Sequence, residues 1–174
     1  MNTPSATLSP GGGRVKIARN YVLLLLTVTY SLSILDRFLL GILLPQIKAE
    51  LHLSDSYLGL LSGIAFALFY ATLGLPIARL ADRYGRKYVI AASLALFSFM
   101  TMLCGSAVSF LTLFLARVGV GVGEAGTTPA SLSVLSDLFE KQRRSTAMAI
   151  FSVGANVGLL IGFLVGGYVA VEYG

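Results

Sequence analysis

Apolar residues run along this chain in five blocks, at Tyr21–Leu44, Tyr57–Ile77, Tyr88–Ala107, Leu111–Leu135 and Thr146–Ala170. At 1.5 Å of rise per residue, each block is long enough to cross about 30 Å of hydrocarbon as a helix. The polar connections between them are short, as expected of helices packed against their sequence neighbours. The pattern predicts an all-α, polytopic transmembrane helix bundle over residues 21–174. Residues 1–20 hold Pro4, Pro10 and the run Gly11-Gly12-Gly13, and read as a disordered cytoplasmic tail. Arg14, Lys16 and Arg19 before the first block resemble the start of a signal peptide. The apolar region is too long for one, however, and no small-x-small cleavage site follows. The first block is expected to stay as an anchor.

Composition points the same way. The 174 residues are 56% hydrophobic and 12% charged, more apolar surface than a soluble domain of this size can hide. The partner implied is the lipid bilayer. A net charge of +5 raises the question of nucleic acid, but the basic residues fall in short clusters between apolar blocks. That distribution sets membrane orientation and argues against nucleic acid. Ten of the thirteen basic residues lie in the tail (Arg14, Lys16, Arg19), the second-to-third loop (Arg79, Arg83, Arg86, Lys87) and the fourth-to-fifth loop (Lys141, Arg143, Arg144). The opposite side has only Lys48, so the N-terminus is expected in the cytoplasm, with Gly174 on the outer side of a plasma (inner) membrane.

The two remaining basic residues, Arg37 and Arg117, fall inside spans together with Asp36 and Glu124. Charges at membrane depth are costly unless paired or wetted, so these four are the first candidates for function. Asp36 lies roughly 22 Å above the cytoplasmic entry of its span, and Arg117 about 10 Å below the outer surface of a span running the other way. The two depths match, which makes an Asp36–Arg117 pairing feasible. Arg117 and Glu124 are seven apart, two turns on one helix face. Two readings compete. A buried ion-pair network can simply fix helix register, with Arg37 snorkelling outward. Alternatively, the carboxylates exchange protons as a pathway opens, and the arginines hold an anionic substrate group.

Small residues add a second pattern. Gly154, Gly158, Gly162 and Gly166 recur every four positions in the fifth span, a face that lets another helix approach closely. The second span has a weaker version in Gly59, Gly63, Ala67 and Ala71, and the fourth has Gly119, Gly121, Gly123 and Gly126 before Pro129, which should kink it. Charges in spans one and four, with small-residue faces in spans two and five, are what an inverted three-helix repeat gives. Chemistry of other kinds is thinly supplied. Cys104 reads as a small apolar side chain, His52 as a solvated loop residue, and no metal-ligand cluster or nucleophile–base pair stands out. Neither a metal, a cofactor nor an enzymatic activity is expected.

The loop Ala78-Arg79-Leu80-Ala81-Asp82-Arg83-Tyr84-Gly85-Arg86-Lys87 resembles the signature of the major facilitator superfamily, Gly-x-Leu-x-Asp-Arg-x-Gly-Arg-Lys, matching from Leu80 to Lys87 with Ala78 in place of the first glycine. Leu35-Asp36-Arg37, Gly121-Val122-Gly123-Glu124-Ala125, Pro129, Ser136-Asp137-Leu138-Phe139 and Arg143-Arg144 are similar to the Spinster-like branch. The stretch Gly158 to Gly167 resembles the antiporter signature of span five, with Phe163 where that signature has proline. The resemblance implies a secondary-active transporter working by alternating access. Asp36, Arg37, Arg117 and Glu124 then line the substrate and proton pathway. Asp82, Arg83, Arg86, Lys87 and Asp137 form a conformational charge relay, and Gly154, Gly158, Gly162, Gly166 and Gly167 pack helices. It further implies a small or lipid-like substrate, a sixth helix and a second six-helix half, against which the small-residue faces of spans two and five would pack. The competing reading is a truncated or non-transporting membrane protein whose charges only specify helix pairing.

Overall fold

A computed structural model describes residues 11–172, apart from the side chains of residues 11–16, 62, 64–66, 78 and 82. Every element among them is helical: α1 (Gly11–Glu50), α2 (Asp55–Gly59), a π-helical turn (Leu60–Ile64), α3 (Ala65–Tyr84), α4 (Arg86–Gly105), α5 (Phe110–Leu138) and α6 (Lys141–Glu172). Four stretches, Ile17–Glu50, Arg86–Gly105, Phe110–Leu138 and Lys141–Glu172, are long and apolar enough to cross a membrane. The expected second span is divided by the π turn, and its apolar helical stretch, Ala67–Ala81, is shorter. Sequence periodicity carries no mark of that turn. Residues 11–20, expected in a disordered tail, are the first part of α1, while residues 1–10 lie outside the described residues. Outward-facing positions are apolar, among them Leu24 and Leu25 on α1 and Leu160 and Leu164 on α6, as a lipid-facing surface requires.

Local chemistry explains the helix ends. α1 closes where His52 takes a left-handed backbone, φ 51°, and Leu53 donates its N–H back to the Lys48 carbonyl at 3.1 Å. That is a Schellman-type stop, so His52 has a structural place rather than a chemical one. The α3–α4 turn passes through Gly85 at φ 94°, a conformation that favours glycine. α5 starts at a capping box, in which the Ser109 hydroxyl accepts from the Thr112 N–H and the Thr112 hydroxyl accepts from the Ser109 N–H. Pro129 and Pro45 both sit within helices that run unbroken through them.

Packing divides the bundle into two groups. α1 lies along α6, while α5 lies along α4 and α3; α1 and α5 approach one another over a short length only. Glycines create both long contacts. On α6, a Cβ at Gly154 would come within 2.7 Å of the Thr27 carbonyl, one at Gly158 within 2.2 Å of the Ser31 carbonyl, and one at Gly166 within 2.7 Å of Ile42. Partner residues rise along α1 in step with the glycines, so the two helices run parallel. The Ser31 hydroxyl donates to the Gly154 carbonyl at 2.8 Å and stitches them together. On α5, Gly119, Gly123 and Gly126 meet Met100, the Phe97 backbone and Ser93 of α4 in the opposite order, as antiparallel helices do.

This corrects one expectation. The glycine face of span five is filled by α1 of the same chain, because only a residue without a side chain lets the two backbones approach this closely. It is not reserved for helices of another half. Gly59 and Gly63 of span two, and Gly167 of span five, have open space beside them. An apolar cluster of Leu23, Leu26, Leu135, Phe139, Ala147 and Phe151 draws α1, α5 and α6 together near the start of α1, with Tyr30 stacked on Phe151 at 4.6 Å.

Replacing Gly158 by Val is therefore expected to destabilise the fold by about 1–3 kcal/mol through overpacking against the α1 backbone. Gly167→Val, one residue past the last glycine of the ladder and facing open space, should be close to neutral. Thermal melting of the purified variants in detergent, followed by size-exclusion fluorescence, distinguishes the two; equal effects would mean that the ladder is not a close contact.

Candidate functional site: charges across the α1–α5 contact

The short contact between α1 and α5 is where the chain's intramembrane charges meet. Ser33, Asp36 and Arg37 occupy positions i, i+3 and i+4 of α1, hence one broad face. Arg117 and Glu124, two turns apart, line the facing side of α5. Arg117 donates from Nη1 to Oδ2 of Asp36 at 2.7 Å, with both side chains largely buried. Arg37 donates from Nε to Oε2 of Glu124 at 2.8 Å and from Nη2 to the same oxygen, while the Ser33 hydroxyl donates to Oε1. Glu124 is 2% exposed. The second polar arm of this site thus has three members.

Adjacent positions on a helix point about 100° apart, so Asp36 and Arg37 serve different partners. The Asp36–Arg117 pair faces a cleft of about 200 Å³ between α1, α4 and α5, lined also by Thr101, Cys104 and Leu113. The Arg117 Nε there is buried without a described acceptor. Cys104, read from sequence as simple packing, is half-buried beside this guanidinium. The Arg37–Glu124 pair instead faces α3. The Arg37 guanidinium lies 5.4 Å from the Tyr70 ring centre, a cation–π contact. It is engaged within the bundle and does not snorkel out of it. Tyr70 also lines an apolar cleft of about 410 Å³ between α3 and α5, with Gly74, Leu75, Ala125, Thr128 and Pro129.

Of the residues expected in the loop relay, Arg86 at the start of α4 forms an ion pair with Asp137 in the last turn of α5. Arg83 and Lys87 lie over the rings of their neighbours Tyr84 and Tyr88. The side chain of Asp82 lies outside the described residues. Among those described, no cluster of three or more His, Cys, Asp and Glu side chains could hold a metal. Sequence reasoning missed Ser33 and Tyr70. Ser33 carried a signal, being one turn before Arg37 on the charged face of α1, whereas nothing local marks Tyr70.

Buried charges at a parallel–antiparallel helix junction, beside apolar clefts, are the equipment of a membrane transporter. The chain belongs to the Major Facilitator Superfamily, whose family model matches residues 26–174. Within it, the chain is similar to an MFS-type efflux pump of Mycolicibacterium smegmatis, 39% identical over 149 residues that cover 86% of this chain and 35% of the pump. It is 33% identical to human protein spinster homolog 1 over 163 residues, 91% of this chain and 29% of the homolog. Its fold matches a crystal structure of a bacterial homolog to the human lysosomal transporter Spinster, inward-facing and occupied, with a TM-score of 0.82 and 44% identity, covering 87% of this chain and 32% of that one. The chain thus spans about a third of the length of these relatives.

Removing one partner of a buried pair leaves the other charge uncompensated, at a cost of about 3–5 kcal/mol. Asp36→Asn and Arg117→Gln are each expected to destabilise the bundle by this order. The double variant should lose clearly less than the sum, a coupling of about 0.5–3 kcal/mol in a thermal or denaturant cycle. Additive losses would show that the two side chains do not act as a pair.

Proposed function

We propose that this chain forms part of one half of a secondary-active transporter that moves a small or amphipathic, anionic solute by alternating access, with proton coupling through Asp36 or Glu124. The observation that carries this reading is the divided charge site. Each intramembrane arginine is held by its own carboxylate, and the Arg37–Glu124 pair opens through Tyr70 onto an apolar cleft. Such a site can exchange partners: protonating a carboxylate weakens its hold on the arginine, which then accepts an anionic group of the solute. An apolar cleft beside a cation suits an amphipathic molecule. The similarity to Spinster homologues and to an efflux pump supports a transport role, and the apolar cleft is what favours an amphipathic solute. The chain is also similar, at 29% identity, to a probable L-galactonate transporter of Escherichia coli, which supports a small organic anion as the other candidate.

In this reading the N-terminus is cytoplasmic and the protein lies in a plasma (inner) membrane, as the distribution of Lys and Arg implies. A sixth helix and a second half complete the pathway. Asp82, Arg83, Arg86, Lys87 and Asp137 then act at the cytoplasmic ends of α3, α4 and α5, where the Arg86–Asp137 pair links two helices that must separate or slide as the gate changes side.

The alternative, that the charges only specify helix pairing, is favoured by the burial of Asp36, Arg117 and Glu124 at a helix contact. The full-length protein in proteoliposomes separates the readings. Asp36→Asn and Glu124→Gln are assayed for uptake of lysolipids and small organic anions across a pH series. At least one amide variant is expected to flatten the pH profile and reduce uptake about tenfold or more. Uptake with unchanged pH dependence in both would exclude coupling at these carboxylates. If the charge-reversed double variant, Asp36→Arg with Arg117→Asp, restored full uptake, these two groups would serve pairing alone.

A further inference from the structure

Another cleft, of about 410 Å³, opens between α1 and α6 at the end of the bundle where α1 begins. Its floor is apolar, made by Leu23, Phe139 and Ala147, all buried. Its rim carries Arg19, Arg143 and Thr146. The Arg19 guanidinium lies 4.7 Å from the centre of the Phe139 ring, which orients it, and its Nε is buried without a described acceptor. Among the described residues, no carboxylate pairs with Arg19 or Arg143; the ion pairs present use Asp36, Asp55, Glu124 and Asp137. Glu140, the acid nearest in sequence, is exposed, and it is its backbone carbonyl that meets the Arg143 N–H. Two guanidiniums and a hydroxyl therefore line one cleft, and neither guanidinium has a described carboxylate partner. From there an exposed apolar track, Ile150, Val153 and Val157, leads along α6 toward the middle of the span.

We propose that this cleft binds the phosphate headgroup of an anionic phospholipid, with an acyl chain laid along Ile150, Val153 and Val157. Planar guanidiniums match phosphate oxygens in pairs, and basic pockets between helix ends at the cytoplasmic surface are where anionic lipids meet membrane proteins. The apolar track favours a lipid over a free phosphate, which would satisfy the arginines and leave that surface unused. The site rests on the cytoplasmic placement of the α1 start and is independent of whether the protein transports anything.

The test uses the purified full-length protein in detergent, with binding read by native mass spectrometry and by thermal melting on addition of phosphatidylglycerol, phosphatidylcholine or inorganic phosphate. Phosphatidylglycerol should bind and raise the melting temperature, and the other two should not. Arg19→Gln and Arg143→Gln should each weaken its binding about fivefold, and the double variant about 25-fold. Arg19→Lys with Arg143→Lys keeps the charges and should retain part of the affinity, which shows that loss in the glutamine variant is not misfolding. Arg79→Gln, an equal loss of charge outside the cleft, should change nothing. The proposal is overturned if phosphatidylcholine or inorganic phosphate reproduces the effect. It is equally overturned if the double glutamine variant binds normally, or if Arg79→Gln weakens binding as much as the cleft variants. Because binding is read without transport, its failure is distinguishable from failure of the transporter reading.

Discussion

The middle of this bundle is held by two ion pairs at a place where little else touches. α1 and α6 form one closely packed group, and α3, α4 and α5 another. Near the start of α1 an apolar cluster joins them; deeper in, the connection is Asp36 to Arg117 and Arg37 to Glu124, with Ser33 on the same carboxylate. Hydrocarbon offers no alternative partner to any of these groups, so each holds the other in place far more firmly than it would at a wet surface. A junction of this kind is stable when paired and labile when a proton or an anion competes. A purely apolar seam offers no group on which such competition could act.

The rest of the architecture follows from how closely the helices within each group can approach. Backbone-to-backbone contacts at Gly154 and Gly158 on one side, and at Gly123 on the other, leave no side chains between the helices to rearrange. Each group is therefore closely packed, and the polar junction is where the two groups meet. The pairing of α1 with α6 (spans one and five) mirrors that of α5 with α3 (spans four and two), the correspondence expected when each group of three spans repeats a common plan in opposite orientation.

Much of this was legible from the chain alone, because the bilayer imposes strict demands on a sequence. Spans, buried charges and the loop ending in Gly85-Arg86-Lys87 all stand out against an apolar background, and matching the depths of Asp36 and Arg117 needed only the rise of a helix. What stayed hidden depends on which way a helix face turns. The glycine ladder of α6 announced a close neighbour without saying that the neighbour was α1. Arg37 could have pointed to lipid headgroups or to Glu124, and its spacing allows either. The π turn at Leu60–Ile64 adds one residue to a turn with no unusual composition, so hydropathy passes over it. Tyr70 meets Arg37 only because α3 and α5 cross beside α1.

The sequence separation of the ion pairs also has a bearing on how the protein comes to exist. Asp36 and Arg117 are 81 positions apart, and Arg37 and Glu124 are 87 apart. At a synthesis rate of roughly 5–20 residues per second, Asp36 and Arg37 are made about 4–17 s before their partners. During that interval a helix bearing a carboxylate and a guanidinium has no counterpart waiting in the membrane. Adjacent on the helix and turned about 100° apart, the two side chains cannot fully satisfy each other, so until α5 exists they depend on water. Both counterparts arrive together on α5, so the pairing of α1 is tied by the spacing of four side chains to the order of manufacture.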